Sequence, residues 1–218
     1  VLETVTIAGQ YTLVIQSAVT QTGLASPSFS FKVVSLGTNN TTAKISEVIS
    51  DQIGTAGGTK SYTLTLTAPK MLSLDVLLGS SNLKWSLSGP SGSIVSPRSL
   101  TEADASSLGD SSSVLNLAAG TYTLTVAADA GTTGAFAAKL QPLDTSAALL
   151  KFGTQSSAVF GSGKGTAVFR LPTVTSGNRL VLSTRGWNGT AAGRWRLVAP
   201  DGAVTAAGAL TALESYIS

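Results

Sequence analysis

The chain has no cysteine and no histidine. The first absence excludes disulfides and thiolate-held metal. The second removes the commonest general base and the commonest transition-metal ligand. Charge is scarce as well: Asp, Glu, Lys and Arg make up 11% of residues, against roughly 25% in ordinary soluble domains. No apolar run reaches the roughly 18 residues of a membrane span, so no membrane insertion is expected. Ser, Thr, Gly and Ala fill the space that charge leaves. Hydrophobic residues still account for 43%, too many for a disordered chain. This is the palette of a secreted or bacterial cell-surface β protein. No signal peptide is recognised and the first residue is Val, so a processed product or an excerpt of something longer is expected.

The net charge of +3 is uneven. Residues 1–109 hold six basic and six acidic side chains; residues 110–218 hold eight and five, which places the whole excess of three in the second half. That excess includes Arg170, Arg179, Arg185, Arg194 and Arg196. Arg194 and Arg196 flank Trp195, and in a strand they point to the face opposite the indole. A solvated strand face is the simpler reading. A nucleic-acid binder carries a denser basic stripe, so no nucleic-acid partner is expected.

What the chain does have is repetition. Gly9-Gln10-Tyr11-Thr12-Leu13-Val14-Ile15 recurs as Gly120-Thr121-Tyr122-Thr123-Leu124-Thr125-Val126. Trp85-Ser86-Leu87 with Gly89-Pro90-Ser91-Gly92 recurs as Trp195-Arg196-Leu197 with Ala199-Pro200-Asp201-Gly202. A period of about 110 residues in a chain of 218 means two modules, each large enough for its own core. Residues 11–15, 61–66 and 122–126 alternate apolar residues with Thr or other polar ones, the mark of a strand with one face on a core. Tyr122, Leu124 and Val126 are expected inward, and Thr121, Thr123 and Thr125 outward. Further strands are expected at 30–35, 72–77, 83–87, 136–140, 168–171, 180–183 and 194–198. Gly- and Pro-rich turns separate them, including Gly161-Ser162-Gly163-Lys164-Gly165, which lacks the ending of a phosphate loop. Short helical turns are expected only within 99–108 and 210–217. The fold class is all-β: tandem jelly-roll-like β-sandwich modules.

The phase of the repeat divides the chain unevenly. Residues 37–145 hold one complete module. Residues 146–218 repeat its front part, up to about the equivalent of residue 108. Residues 1–36 resemble the missing back part, with Phe29 and Lys32 matching Phe136 and Lys139. One module is thus split between the chain ends. An open sheet edge over half a core invites pairing with another strand. Three outcomes stay open: the N-terminal strands complete residues 146–218 within the chain, they complete the next copy, or the parent chain continues. Tyr11, Leu13, Ile15, Phe29 and Phe31 are the assembly-strand candidates. The expected partners are neighbouring modules or copies of the chain itself.

These motifs resemble those of bacterial pre-peptidase C-terminal domains. Gly120-Thr121-Tyr122-Thr123-Leu124-Thr125-Val126 is similar to that family's Gly-Thr-Tyr strand. Residues 83–92 are similar to its strand-and-turn ending in Pro-x-Gly, and residues 61–66 stand where it has another aromatic strand. Tandem copies of such modules in large exoproteins and adhesins resemble the chain further. The resemblance implies a jelly-roll-like sandwich in a secreted bacterial protein, serving as an accessory, targeting or stalk module without catalysis. Some relatives bind calcium through acidic clusters. The family's acidic residue before the Leu strand is Asn82 or Gly193 here.

No catalytic set emerges from the residues. Eleven carboxylates are scattered without a motif pair, and no nucleophile elbow with a His partner exists. No cofactor is expected. Calcium has one candidate loop, Glu102-Ala103-Asp104 with Asp110, set against a plain polar loop. Asp201 before Gly202 reads as a turn residue. Trp85 and Trp195 recur in strands and read as core. Trp187 sits in a turn-like loop between Arg185 and Asn188 and is a candidate platform for a glycan. The first functional expectation is therefore a structural or interaction module: a stalk, filament or adhesin segment, assembling by strand complementation. The alternative is a carbohydrate-binding accessory module of an exoenzyme.

Overall fold

The computed structural model describes residues 39–102, 114–143, 147–160, 165–183, 193–210 and 215–217. The candidate residues Tyr11, Leu13, Ile15, Phe29, Phe31, Asp104, Asp110, Arg185, Trp187 and Asn188 lie outside them. Alternating apolar side chains build nine strands of a sandwich: β1 (Asn39–Thr42), β2 (Ile49–Ile53), β3 (Thr59–Leu66), β4 (Lys70–Leu78), β5 (Leu83–Gly89), β6 (Gly92–Ser99), β7 (Leu115–Leu117), β8 (Gly120–Ala128) and β9 (Gly134–Pro142). One sheet runs β1-β3-β8-β5-β6 and the other β2-β9-β4-β7. The fold is all-β, as the sequence indicates.

Strands β8 and β9 are central. β8 pairs antiparallel with β3 on one side and β5 on the other; β9 does the same between β2 and β4. Along β8 the period-2 pattern puts Tyr122, Leu124, Val126 and Ala128 in the core, while Thr121, Thr123 and Thr125 line the outer face. Facing them are Tyr62, Leu64, Leu66, Leu83, Trp85 and Leu87 from the same sheet and Leu72, Leu74, Phe136 and Leu140 from the opposite one. Trp85 is 1% exposed and is a core residue. The guanidinium of Arg98, its cross-strand partner, lies 4.7 Å from the ring centroid.

In the sandwich the two repeated motifs touch. The Tyr122 ring rests on Gly89, where a Cβ would come within 2.7 Å of two ring carbons. The Tyr122 hydroxyl donates to the Ala118 carbonyl four residues upstream at 2.8 Å. This closure is of the tyrosine-corner type found in other β-sandwiches. The β5–β6 turn is set by Gly92 at φ +105°, a conformation that only glycine adopts without strain.

Beyond the sandwich lie three two-stranded ladders. Strands β10 (Ala148–Leu149) and β11 (Phe169–Arg170) are parallel, β12 (Leu180–Leu182) and β15 (Ser215–Ile217) antiparallel, and β13 (Gly193–Val198) and β14 (Val204–Leu210) antiparallel. Their registers repeat the sandwich 110 residues on. Asn39↔Lys60 becomes Leu149↔Arg170. Trp85↔Arg98 becomes Trp195↔Gly208. Gly202, at φ +89°, takes the place of Gly92 in the turn.

Two expectations need correction, a helical turn and the set of strands. Residues 210–217 hold strand at Ser215–Ile217 and no helical turn among the described positions. The β12–β15 ladder pairs Leu180 with Ile217, as Lys70 pairs with Leu117 in β4–β7. Ser215–Ile217 thus hold the place along β12 that β7 holds along β4. Of residues 99–108 only 99–102 are described, and they hold the expected helical turn, a 3-10 turn at Leu100–Glu102 anchored by the fully buried Leu100. Strands β1, β2, β6, β7, β10, β14 and β15 were not among the expected ones. They are edges or short strands with weak alternation, and their pairing comes from neighbours rather than from their own pattern.

Candidate functional site

The outer face of the four-stranded sheet carries the least expected chemistry. Along β4, Leu72 and Leu74 face the core, so Ser73 and Asp75 point out. An outward Asp on a sheet normally meets water, yet Asp75 is 0% exposed. On β9, Phe136 packs inward, and Lys139, an odd number of positions away, points out beside Asp75, its cross-strand partner. Lys139 Nζ lies 3.3 Å from Asp75 Oδ2. The contact is an ion pair without hydrogen-bond alignment, since Oδ2 has no hydrogen-bond partner. Thr166 Oγ1 donates to Asp75 Oδ1 at 2.8 Å.

The cover over this pair comes from the segment that joins the sandwich to the ladders. Gly165 lies so close that a Cβ there would stand 2.7 Å from Asp75 Oδ1 and 3.2 Å from Leu77 Cδ2. A second point of attachment lies on neighbouring β7. The outward Asn116 donates from Nδ2 to the Asp201 carbonyl at 2.8 Å and packs against Gly202, in the β13–β14 turn. Beside Thr166 lies a cleft of about 360 Å³, lined by Lys139 and Gln141 of β9 and by Ser157, Thr166, Val168 and Phe169. Residues 165–166 and the β13–β14 turn thus sit on the outer face of β9-β4-β7. A paired lysine and a hydroxyl hold the carboxylate there, out of solvent.

A second cluster ties the two sheets to each other. Tyr62 of β3 donates its hydroxyl to Asp51 Oδ2 of β2 at 2.8 Å, and Lys60 Nζ lies 3.1 Å from Asp51 Oδ1. The Gln52 amide donates to Asp51 Oδ1 at 2.7 Å. Burial raises the Asp51 pKa, but the hydrogen bonds from Gln52, Tyr62 and Lys60 outweigh it and hold the carboxyl below its ordinary 3.8. Burial first, then the Asp51 hydrogen bond and charge, push the Tyr62 phenol well above its ordinary 10.0. The Tyr62 ring also meets Phe136 edge-on, with centroids 6.2 Å apart.

Neither cluster has the form of a catalytic pair. Four of the six described carboxylates, Glu47, Asp51, Asp75 and Asp129, each lie against a lysine. Among the described residues no group of three or more Asp, Glu, His or Cys could hold a metal ion. Of the expected calcium loop only Glu102 is described, exposed at the end of the 3-10 turn. The glycan candidates Arg185, Trp187 and Asn188 lie outside the described residues. Asp201 is a turn residue as expected, its Oδ1 accepting from the Ala203 amide at 3.0 Å. Trp195 is half-buried, its indole lying over Gly208. No described helix is long and apolar enough to cross a membrane.

Sequence reasoning passed over both ion pairs. The available signal was a charge at an outward position of an otherwise apolar strand, Asp75 in β4 and Lys139 in β9. That alone does not say that something covers the face. No family model and no curated protein matches the chain. Among solved structures, half of it (50%) is similar to the pre-peptidase C-terminal domain of a collagenase from Bacillus anthracis, at 17% identity and a TM-score of 0.33, covering 99% of that domain. Over 48% it is similar to PliG of Aeromonas hydrophila, a periplasmic inhibitor of g-type lysozyme, at 19% identity and a TM-score of 0.30, covering 100% of that chain. Both likenesses are to about half of the chain, and neither bears on what it does.

Proposed function

We propose that the chain is a non-catalytic structural module of a secreted or surface bacterial repeat protein, a segment of a stalk, filament or adhesin. Its work is to set one β-sandwich unit firmly on the next. The observation that carries this reading is the covered outer face of β9-β4-β7. A buried Asp75–Lys139 pair is ill suited to a solvated face; here Thr166 and Gly165 close over it, and Thr166 donates one hydrogen bond to Asp75. Burying such a pair contributes little net stability, but it fixes registry between the parts that enclose it. Repetition of the β1–β3 and β5–β6 registers at one offset fits serial units joined in this way. The outer face of the other sheet, Thr- and Ser-rich with Lys84, keeps such units soluble with few charges.

Thr166→Val and Asn116→Ala together test the reading. The proposal expects the sandwich to stay folded and the inter-unit orientation to loosen, seen as a larger radius of gyration by small-angle scattering. It also expects no hydrolase activity and no glycan binding. Retained dimensions in the double variant, or glycan affinity that disappears with Trp187→Ala, would overturn it in favour of a carbohydrate-binding module.

A further inference from the structure

The surroundings of the Asp75–Lys139 pair leave one of its atoms unsatisfied. The side chains of the ion pairs Lys44–Glu47, Lys60–Asp51 and Lys84–Asp129 are all 22% or more exposed, so their charges reach water. Those of Asp75 and Lys139 are 0% and 9% exposed. A buried ion pair makes up for its lost hydration only when hydrogen bonds satisfy its remaining lone pairs. Asp75 Oδ1 has such a bond, from Thr166 at 2.8 Å. Oδ2 has none, although Lys139 Nζ lies 3.3 Å from it. Buried polar atoms almost always find a partner, so an orphaned oxygen calls for a reason. β4 and β9 also hold the two residues directly opposite one another. The amine and the carboxyl therefore stay at contact distance, about the 3–3.5 Å from which positioned groups react.

We infer that Lys139 and Asp75 condense after folding into an amide cross-link between β4 and β9. The inference goes beyond the structural-module reading and does not depend on it. A proton passes from Nζ to Oδ2, which neutralises both groups. The Nζ lone pair then forms a bond to Cγ, and the negative charge that develops on Oδ1 meets the Thr166 hydroxyl. Nζ gives a second proton to the Oδ2 hydroxyl, the Cγ–Oδ2 bond breaks, and Oδ2 leaves as water. One proton stays on the amide nitrogen, and no other reactant is consumed. The oxygen that leaves is the orphaned one; the oxygen that stays keeps its hydrogen bond. Two buried charges disappear in the same step. The cover of Gly165 and Thr166 keeps bulk water from reversing it. The cleft lined by Lys139 and Thr166 gives the released water a way out. Freshly folded chain carries the ion pair, and aged chain carries the amide.

Mass spectrometry of the full chain tests this. Freshly refolded protein is incubated just below its unfolding temperature and, in parallel, in urea. The native sample is expected to lose the mass of one water, and its digest to hold a branched peptide joining Asp75 to Lys139. The urea sample is expected to keep its full mass. Lys139→Arg keeps the charge without an amine that condenses, and should lose no water at this site. Thr166→Val should slow the loss about a hundredfold, and Thr166→Ser should restore it. A native chain that keeps its full mass on prolonged incubation would overturn the inference. So would a loss of one water that maps elsewhere, such as a cyclic imide at Asp201-Gly202, which yields no branched peptide.

Discussion

Removing Lys139 tests the buried pair most sharply. Asp75 is 0% exposed and its Oδ2 faces only the Lys139 ammonium. Lys139→Met keeps most of the side-chain volume and leaves a buried carboxylate with one hydroxyl donor, Thr166. Breaking a buried pair on one side typically costs about 3–5 kcal/mol, whereas replacing both members by apolar residues is often neutral or stabilising. Urea unfolding followed through the buried Trp85 reads the loss. With a slope of about 2 kcal/mol per molar, the midpoint falls by roughly 1.5–2.5 M. The double variant Asp75→Leu/Lys139→Met is expected to recover most of that. A single variant that loses less than about 1 kcal/mol, with a double variant that is merely additive, would refute the reasoning.

Acid should act through Asp51. Its folded pKa lies below the ordinary 3.8, so its contribution is complete above that value and is lost as pH falls towards the folded pKa; Asp51→Asn should flatten the stability curve below about pH 4 in acid titration of the unfolding midpoint. Tyr62 has the opposite sign: its raised pKa means stability present below 10.0 and lost as pH rises above it, and Tyr62→Phe should remove that alkaline decline. Gly89→Ala forces a Cβ to within 2.7 Å of the Tyr122 ring and should cost about 1–3 kcal/mol by thermal denaturation.

The sandwich was legible where one strand carries its own alternation. Tyr122, Leu124 and Val126 face inward because period-2 hydrophobicity has only one way to bury itself. The tyrosine and the Pro-x-Gly turn were visible as repeated text, and in the sandwich Tyr122 and Gly89 are in contact. The edges were not legible. β2 and β6 hold Ser, Gln, Pro and Arg, and become strands by pairing with β9 and β5. The covered face was hidden for a related reason. Asp75 and Lys139 are an ordinary solvent-side pair by sequence, and only the arrival of Gly165 and Thr166 makes them buried. Residue spacing gives the face of a strand and is silent about what lies over it.

Lysine reactivity measures that cover directly. An amine-acylating reagent is applied to the intact chain and each lysine is followed by mass spectrometry. The side chain of Lys139 is 9% exposed and that of Lys44 is 68% exposed. Lys139 is predicted to react far more slowly than Lys44, and to become reactive in Thr166→Arg, where the cover cannot close. A Lys139 that reacts as fast as Lys44 in the unaltered chain would contradict the account.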